Sequence, residues 1–395
     1  MDDSAGIGAR IRALRERAGL QSRELAVILG IDASAMSNIE RGKRGIKTVE
    51  LAKVADALGV SPLAILDEDS LLGRLSVAPR VAEGTVVDRQ TMSRLTALAE
   101  LHEVLAQEGI VASSKIANAP AVDPGRWLSS ADELAEWAAT KLQVPEVAED
   151  RFSDLIKRIE DRLGIDVLVE PAEDGDMAGA SITDHEFPLI FVNSDQPTHR
   201  ALFTLAHELG HVLQGDGDSV TLDVDLTAHD DRERFANAFA ASLLMPEHII
   251  RSRLAGEEVK FSDLASLVNR LGVSFESLVY RLHNLGIIDR DGRKQLQELG
   301  LRGLISSLKD KKLAAKLLSR RASTPEQGPP RLLLERAIEG YRRGVVSVRP
   351  VAGLLGLDAE DVTSVMESDA KEILVRATHT SGMDSDESRY AGEPA

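Results

Sequence analysis

Apolar residues three and four apart recur through the first 66 positions and predict five short helices: Ile7 to Ala18, Gln21 to Leu29, Ala33 to Arg41, Thr48 to Leu58 and Pro62 to Leu66. Gly19, Gly30, Gly42 and Gly59 separate them, so residues 1–68 read as a compact all-α unit. Residues 69–129 read as a linker, turn-rich from Leu71 to Val87 and rich in small residues and proline from Ile110 to Arg126. Between those stretches Met92, Leu95, Leu98, Ala99, Leu101 and Leu105 predict one helix over 88–107, either a dimer or docking element or a cover for the next domain. From residue 130 the period changes. Helices over 131–142 and 152–163 precede strands at Gly164 to Val169, Gly179 to Thr183 and Pro188 to Asn193, an α+β pattern that continues to about residue 288.

Helices then return. An apolar run from Ala201 to Ala206 enters one, Glu233 to Leu244 forms an amphipathic second closed by Pro246, and 261–271 with 274–285 make a pair joined at Gly272-Val273. The region 289–376 reads as helical: a basic helix over 293–320, a break at Ser323 to Pro330, and helices over 332–343, 347–355 and 359–366. Lys309, Lys311, Lys312, Lys316, Arg320 and Arg321 cluster on the first of these, read as a solvated face. The acidic, small-residue-rich stretch 377–395 reads as a disordered tail.

Composition narrows the class. The chain has no cysteine for disulfides, no apolar run long enough to span a membrane and no secretory segment, so a cytoplasmic protein is expected. Aromatic residues make up only 3%, which gives no sign of a base-stacking RNA surface. Net charge is −17, yet residues 1–66 carry ten Lys or Arg against eight Asp or Glu. The N-terminal unit is thus slightly basic on a chain whose remainder is acidic in sum, which suits a nucleic-acid-reading head; its excess of two is small, so dimerisation or a partner is expected.

The most specific chemistry lies in His207-Glu208-Leu209-Gly210-His211. Residues four apart on a helix sit one turn above each other, so both imidazoles can reach one ion, while Glu208 projects beside them as a carboxylate able to take a proton from activated water. The third ligand should lie downstream, and Glu233 is the choice, in the first turn of its helix. Ala236 and Ala240 leave little bulk on that face, as two converging helices need. The rival ligand is His229 in the polar stretch Thr227 to Asp231; His185, His199, His248 and His283 are isolated and receive no metal role. Phe187 to Asn193 reads as a buried strand, expected at a sheet edge beside the helix, where a peptidase can hold an extended substrate.

The run Phe203 to His211, followed by Glu233 to Pro246, closely resembles the ImmA/IrrE family of metallopeptidases over about residues 130–285. The resemblance implies zinc, with manganese as the alternative, on His207, His211 and Glu233, and Glu208 as general base. It further implies a substrate class: such proteins are similar to proteases that cut helix-turn-helix repressors and so release silenced genes. In the N-terminal unit Leu25, Ala26, Leu29, Gly30, Ile31, Met36 and Ile39 have helix-turn-helix spacing, and Ser22 to Ala26 with Met36 to Arg44 resemble the Cro/repressor (XRE) domain. Ser34, Ala35, Ser37 and Asn38 are then the candidates for reading base edges, and Arg41, Lys43 and Arg44 for phosphate contact.

The expected protein is therefore multidomain and mainly α: a five-helix DNA-binding domain at 1–68, a linker with helix 88–107, a zincin-like α+β metallopeptidase domain at 130–288, and a C-terminal helical region at 289–376. The expected function is a homodimeric regulator that binds double-stranded DNA and cleaves a partner repressor or antitoxin. The competing class is a non-proteolytic transcription factor, or a toxin-like component of a two-gene module, that uses the peptidase-like domain only for binding.

Overall fold

The computed structural model describes residues 4–17, 20–58, 62–66, 89–112, 115–116, 119–144, 150–172, 177–215, 220–223, 231–255 and 259–368. The segment 71–87, the loop carrying His229 and the acidic tail lie outside the described residues.

The N-terminal helices are Ser4–Arg17, Ser22–Leu29, Ala33–Glu40, Thr48–Leu58 and Pro62–Leu66. Their core is Ile11, Leu14, Leu25, Ala26, Leu29, Met36, Ile39, Leu51, Val54, Ala55 and Ile65, the helical periodicity read from the sequence. The turn between the second and third helices is built from local chemistry. Gly30 closes the second helix at φ 71°, where a Cβ is disfavoured. The Asp32 carboxylate then caps the third by accepting from the Ala35 amide at 2.7 Å. Gly8 and Gly42 permit close packing: a Cβ on Gly8 would fall 2.2 Å from the Ile39 carbonyl, and one on Gly42 2.5 Å from Ala5 Cα. One contact was not read from the sequence. Arg15 is buried, pairing with Glu40 at 2.6 Å and donating to the Leu20 carbonyl, which pins the first helix to the end of the third.

The larger unit is organised by a four-stranded sheet in the order β1 (Asp166–Glu170), β3 (Leu189–Asn193), β2 (Gly179–Ile182), β4 (Val220–Asp223). β1 and β3 are parallel, and the other pairs antiparallel. Side chains alternate across the strands into two separate cores. Val167, Val169, Ile190 and Val192 face helices Trp127–Leu142, Arg151–Leu163, Thr198–Gln214 and Asp231–Leu244, with the helices from Glu247 to Ala322 extending that core. Leu168, Ala180, Ile182, Leu189 and Phe191 face the helix Arg89–Gln107 and the C-terminal helices Arg331–Arg342, Val348–Leu355 and Ala359–Ser368. Burial on both faces explains why these strands read as continuous apolar runs instead of alternating ones.

One sequence expectation changes here, and one open alternative is decided. β3 is an internal strand between β1 and β2, so the 187–193 segment is not a sheet edge. Its apolar run reports two-sided burial, which central strands share. Among the described residues β4 is the terminal strand on one side; on the other, Val169 of β1 exchanges backbone hydrogen bonds with Gly328. The helix 89–107 takes the covering role, lying on the sheet with the Arg331–Arg342 helix so closely that a Cβ on Gly340 would meet Leu105 at 2.3 Å. In the basic C-terminal stretch Lys309, Lys311, Lys312 and Lys316 are exposed as expected, whereas Arg320 turns inward and donates to the Asn269 carbonyl.

The C-terminal helices are anchored by charge. Arg336 donates to Asp166 and, at 2.6 Å, to His102 Nδ1, while the Leu333 amide donates to Asp166 at 2.8 Å. Burial, then the Arg336 charge, pushes His102 down to about 4, so its ring is neutral and accepts; it stacks on Phe187 at 4.5 Å. Arg331 grips Glu160 at 3.0 Å.

Burial pushes the Glu160 carboxyl up to about 7 against the pull of Arg331. The folded value lies above the unfolded one, so the stability linked to this group is fully present below about pH 4 and is lost as pH rises through about 7. Chemical denaturation at pH 6 and pH 8 is expected to show a loss of about 1 kcal/mol from this residue, and Glu160→Gln to remove that part of the slope. An identical slope in the variant would mean that Glu160 is ionised across the whole range.

Candidate metal centre and helix-turn-helix surface

Helix Thr198–Gln214 is buried along most of its length because it crosses the sheet on one side and meets Asp231–Leu244 on the other. His207 and His211 therefore point inward, with Nε2 atoms 3.0 Å apart. Glu233 enters from the facing helix, its two oxygens 3.2 Å from His207 Nε2 and 3.3 Å from His211 Nε2. Among the described residues this is the group of His, Asp and Glu side chains whose donor atoms could hold one metal ion. His185, His248 and His283 lie elsewhere, and His199 lies in the first turn of the helix.

The donor set fits a metal. Three ligand atoms at about 2 Å from one tetrahedral ion lie about 3.3 Å apart, close to the spacing found. Two ring nitrogens and a carboxylate facing one buried point also leave lone pairs that a cation would satisfy. Burial by itself would raise the Glu233 carboxyl, but hydrogen bonding and charge on His207 and His211, in their protonated form, outweigh it and lower the group to about 2; an ion on the Nε2 atoms would take the place of those protons. The carboxylate is thus ionised wherever the protein is folded at ordinary pH, as a ligand must be.

Sequence reasoning missed Asn237. Its Oδ1 lies 3.2 Å from His207 Nδ1 and accepts the ring N–H, which leaves the Nε2 lone pair directed at the site. The signal was available: Asn237 is four residues after Glu233, so both side chains lie on the same helical face. Of the small residues, Ala236 lies where the helices meet, opposite Gly210. A Cβ on Gly210 would lie 3.0 Å from Phe239 Cδ1 and 3.3 Å from Ala236 Cα, so the two helices touch beside the ligands. Glu208 is fully buried on the sheet-facing side, and a Cβ on Gly179 of β2 would meet its Cγ at 3.2 Å and Thr204 Cγ2 at 2.5 Å.

The helix-turn-helix residues are placed differently from one another. Ser34 is exposed but donates to Asp32 at 2.6 Å, and Ala35, Ser37 and Asn38 are half-buried along the third helix. Arg41 folds back over that helix, donating to the Ser37 hydroxyl at 2.9 Å and to Asn38 at 3.4 Å. Arg44 is paired with Glu50 at 2.7 Å, while Lys43 is exposed.

Gly210→Val is expected to destabilise the protein by about 1–3 kcal/mol, because added methyls would force the two helices apart. Its thermal unfolding midpoint should fall and metal uptake should weaken with it; unchanged values for both would mean that the helix contact does not set the site.

Residues 160–283 match the family model of the IrrE N-terminal-like domain, and residues 7–65 match that of a helix-turn-helix domain. The radiation response metalloprotease IrrE of Deinococcus radiodurans is 37% identical over 105 residues, 25% of this chain and 32% of that protein. Its counterpart in Deinococcus deserti is 36% identical over 104 residues, 25% of this chain and 37% of that protein. The HTH-type transcriptional repressor RghR of Bacillus subtilis is 43% identical over 54 residues, 13% of this chain and 40% of that protein. The chain thus spans between about a third and two fifths of the length of these curated relatives. No described helix is long and apolar enough to cross a membrane. The fold and both matches agree: this chain joins a helix-turn-helix domain at residues 7–65 to an IrrE N-terminal-like domain at residues 160–283.

Proposed function

We propose that this chain is a cytoplasmic DNA-binding regulator and zinc-dependent endopeptidase that cleaves a partner helix-turn-helix repressor or antitoxin, acting as a homodimer. The observation that carries the reading is the convergence of His207, His211 and Glu233 within hydrogen-bond distance of one another, with a buried carboxylate, Glu208, on the adjoining face. Likeness to IrrE proteins supports the metalloprotease assignment. Likeness to a transcriptional repressor supports DNA binding by the N-terminal domain.

His207, His211 and Glu233 would hold the ion, and Asn237 would fix the His207 ring. When bound, zinc supplies Lewis acidity toward a water and a peptide carbonyl. Glu208 takes the proton of the attacking water and returns it to the leaving amide nitrogen. His207, Glu208 and His211 are buried between packed elements, which favours a preorganised site.

One zinc per chain is expected by elemental analysis. His207→Ala and His211→Ala should lose it, and Glu208→Gln should keep it while losing at least about 100-fold in cleavage of the partner repressor. If Glu208→Gln regulates its genes as wild type does, with the partner intact in both, the site serves binding only.

For the N-terminal domain, Ser34→Ala with Asn38→Ala is expected to reduce discrimination between operators by about 1–3 kcal/mol per lost base contact. Lys43→Ala should weaken binding to every duplex and lower the salt slope by about 1. Arg44→Ala should do less, because Arg44 is already held by Glu50. Binding isotherms at several salt concentrations check this, and wild-type behaviour of all these variants would remove the proposed surface.

A further inference from the structure

A cavity of about 430 Å³ lies at the root of the metal-binding helix, away from His207 and His211. Its wall includes His199, in the first turn of Thr198–Gln214 and about 12 Å along the helix from His207 at 1.5 Å per residue. The volume is within the range of sites that enclose a small organic molecule.

The lining is amphipathic. Val268, Val279, Leu296, Leu299 and Leu317 give it an apolar body. The polar side chains with charge are Arg302 and Arg320 against a single acid, Glu276, with His199 beside them. Burial lowers the Arg320 guanidinium from its ordinary value against the raising charge of Asp150, and its donation to the Asn269 carbonyl holds it in place, so an anion in the cavity would meet a positioned, partly desolvated cation.

The cavity is also built by a specific backbone feature. Helix Arg290–Ser306 is interrupted at Gly300, whose φ of 60° and ψ of 176° belong to a region open almost only to glycine. Leu299, Gly300 and Leu301 all line the cavity, and a Cβ on Gly300 would meet nothing within 4 Å. The glycine is therefore required by backbone conformation and not by crowding, and the bend it permits shapes the wall.

We propose that this cavity binds an apolar carboxylic acid, its hydrocarbon body against the leucine and valine wall and its carboxylate toward Arg302 and Arg320. The site is separate from the metal centre and needs no bound ion.

Titration calorimetry of the full chain with octanoate, octylamine and 1-octanol tests this. Octanoate is expected to bind saturably at one per chain, at least about tenfold tighter than either the amine or the alcohol. Arg302→Glu, an exposed rim change, should lower octanoate affinity at least about tenfold without altering that for octanol. Leu296→Trp should fill the cavity and abolish binding, with thermal unfolding confirming that both variants are folded. His207→Ala should bind octanoate as wild type does. The proposal is overturned if no member of the series binds, if the amine binds as well as the acid, if binding survives both cavity variants, or if it disappears in His207→Ala, which would place the carboxylate on the metal instead.

Discussion

Two imidazoles and a carboxylate converge inside a largely apolar core, and the surrounding architecture is what makes that convergence affordable. Buried ionisable groups are unfavourable unless paired, and here each faces the others within about 3 Å. The arrangement depends on two helices touching at Gly210 and Ala236, where even a Cβ on Gly210 would press on Phe239 and Ala236 of the helix that carries Glu233. Asn237 extends the same contact by holding His207 in one tautomer. Ligand position, ring orientation and helix spacing are thus one constraint.

That constraint is supported from beneath. The helix bearing the histidines lies directly against β2, with Gly179 allowing Thr204 and Glu208 to approach. The sheet is buried on its other face as well. Helix 89–107 and the C-terminal helices cover that face, and Arg336 with Asp166 and His102 lock them to the start of β1. The C-terminal region therefore completes the fold that positions the site. A buried ion pair of this kind adds little net stability by itself, but removing one partner leaves a charge without compensation, so it fixes where the helix docks.

The N-terminal domain shows the same economy at smaller scale. Arg15 and Glu40 join the first and third helices, while the Asp32 cap and Gly30 set the turn before the third. Arg41 lies over Ser37 and Asn38, so any duplex approaching this face would meet a guanidinium already positioned above the side chains that could read bases.

Local patterns carried much of this. The positions of the N-terminal helices, the pairing of His207 with His211 and the first-turn location of Glu233 follow from helical periodicity and capping, which involve residues within one or two turns. The apolar strands were equally legible, but their order was not: the same Val, Ile and Leu run suits a central or an edge strand, and pairing with β1 and β2 decided that 187–193 is internal. Asn237 was one helical turn from a recognised ligand, yet only the facing helix shows that it meets His207. The sheet cover rests on contacts such as Asp166 with Arg336, 170 residues apart, which no local spacing encodes. Side-chain periodicity determines what an element buries; the tertiary fold decides what it is buried against.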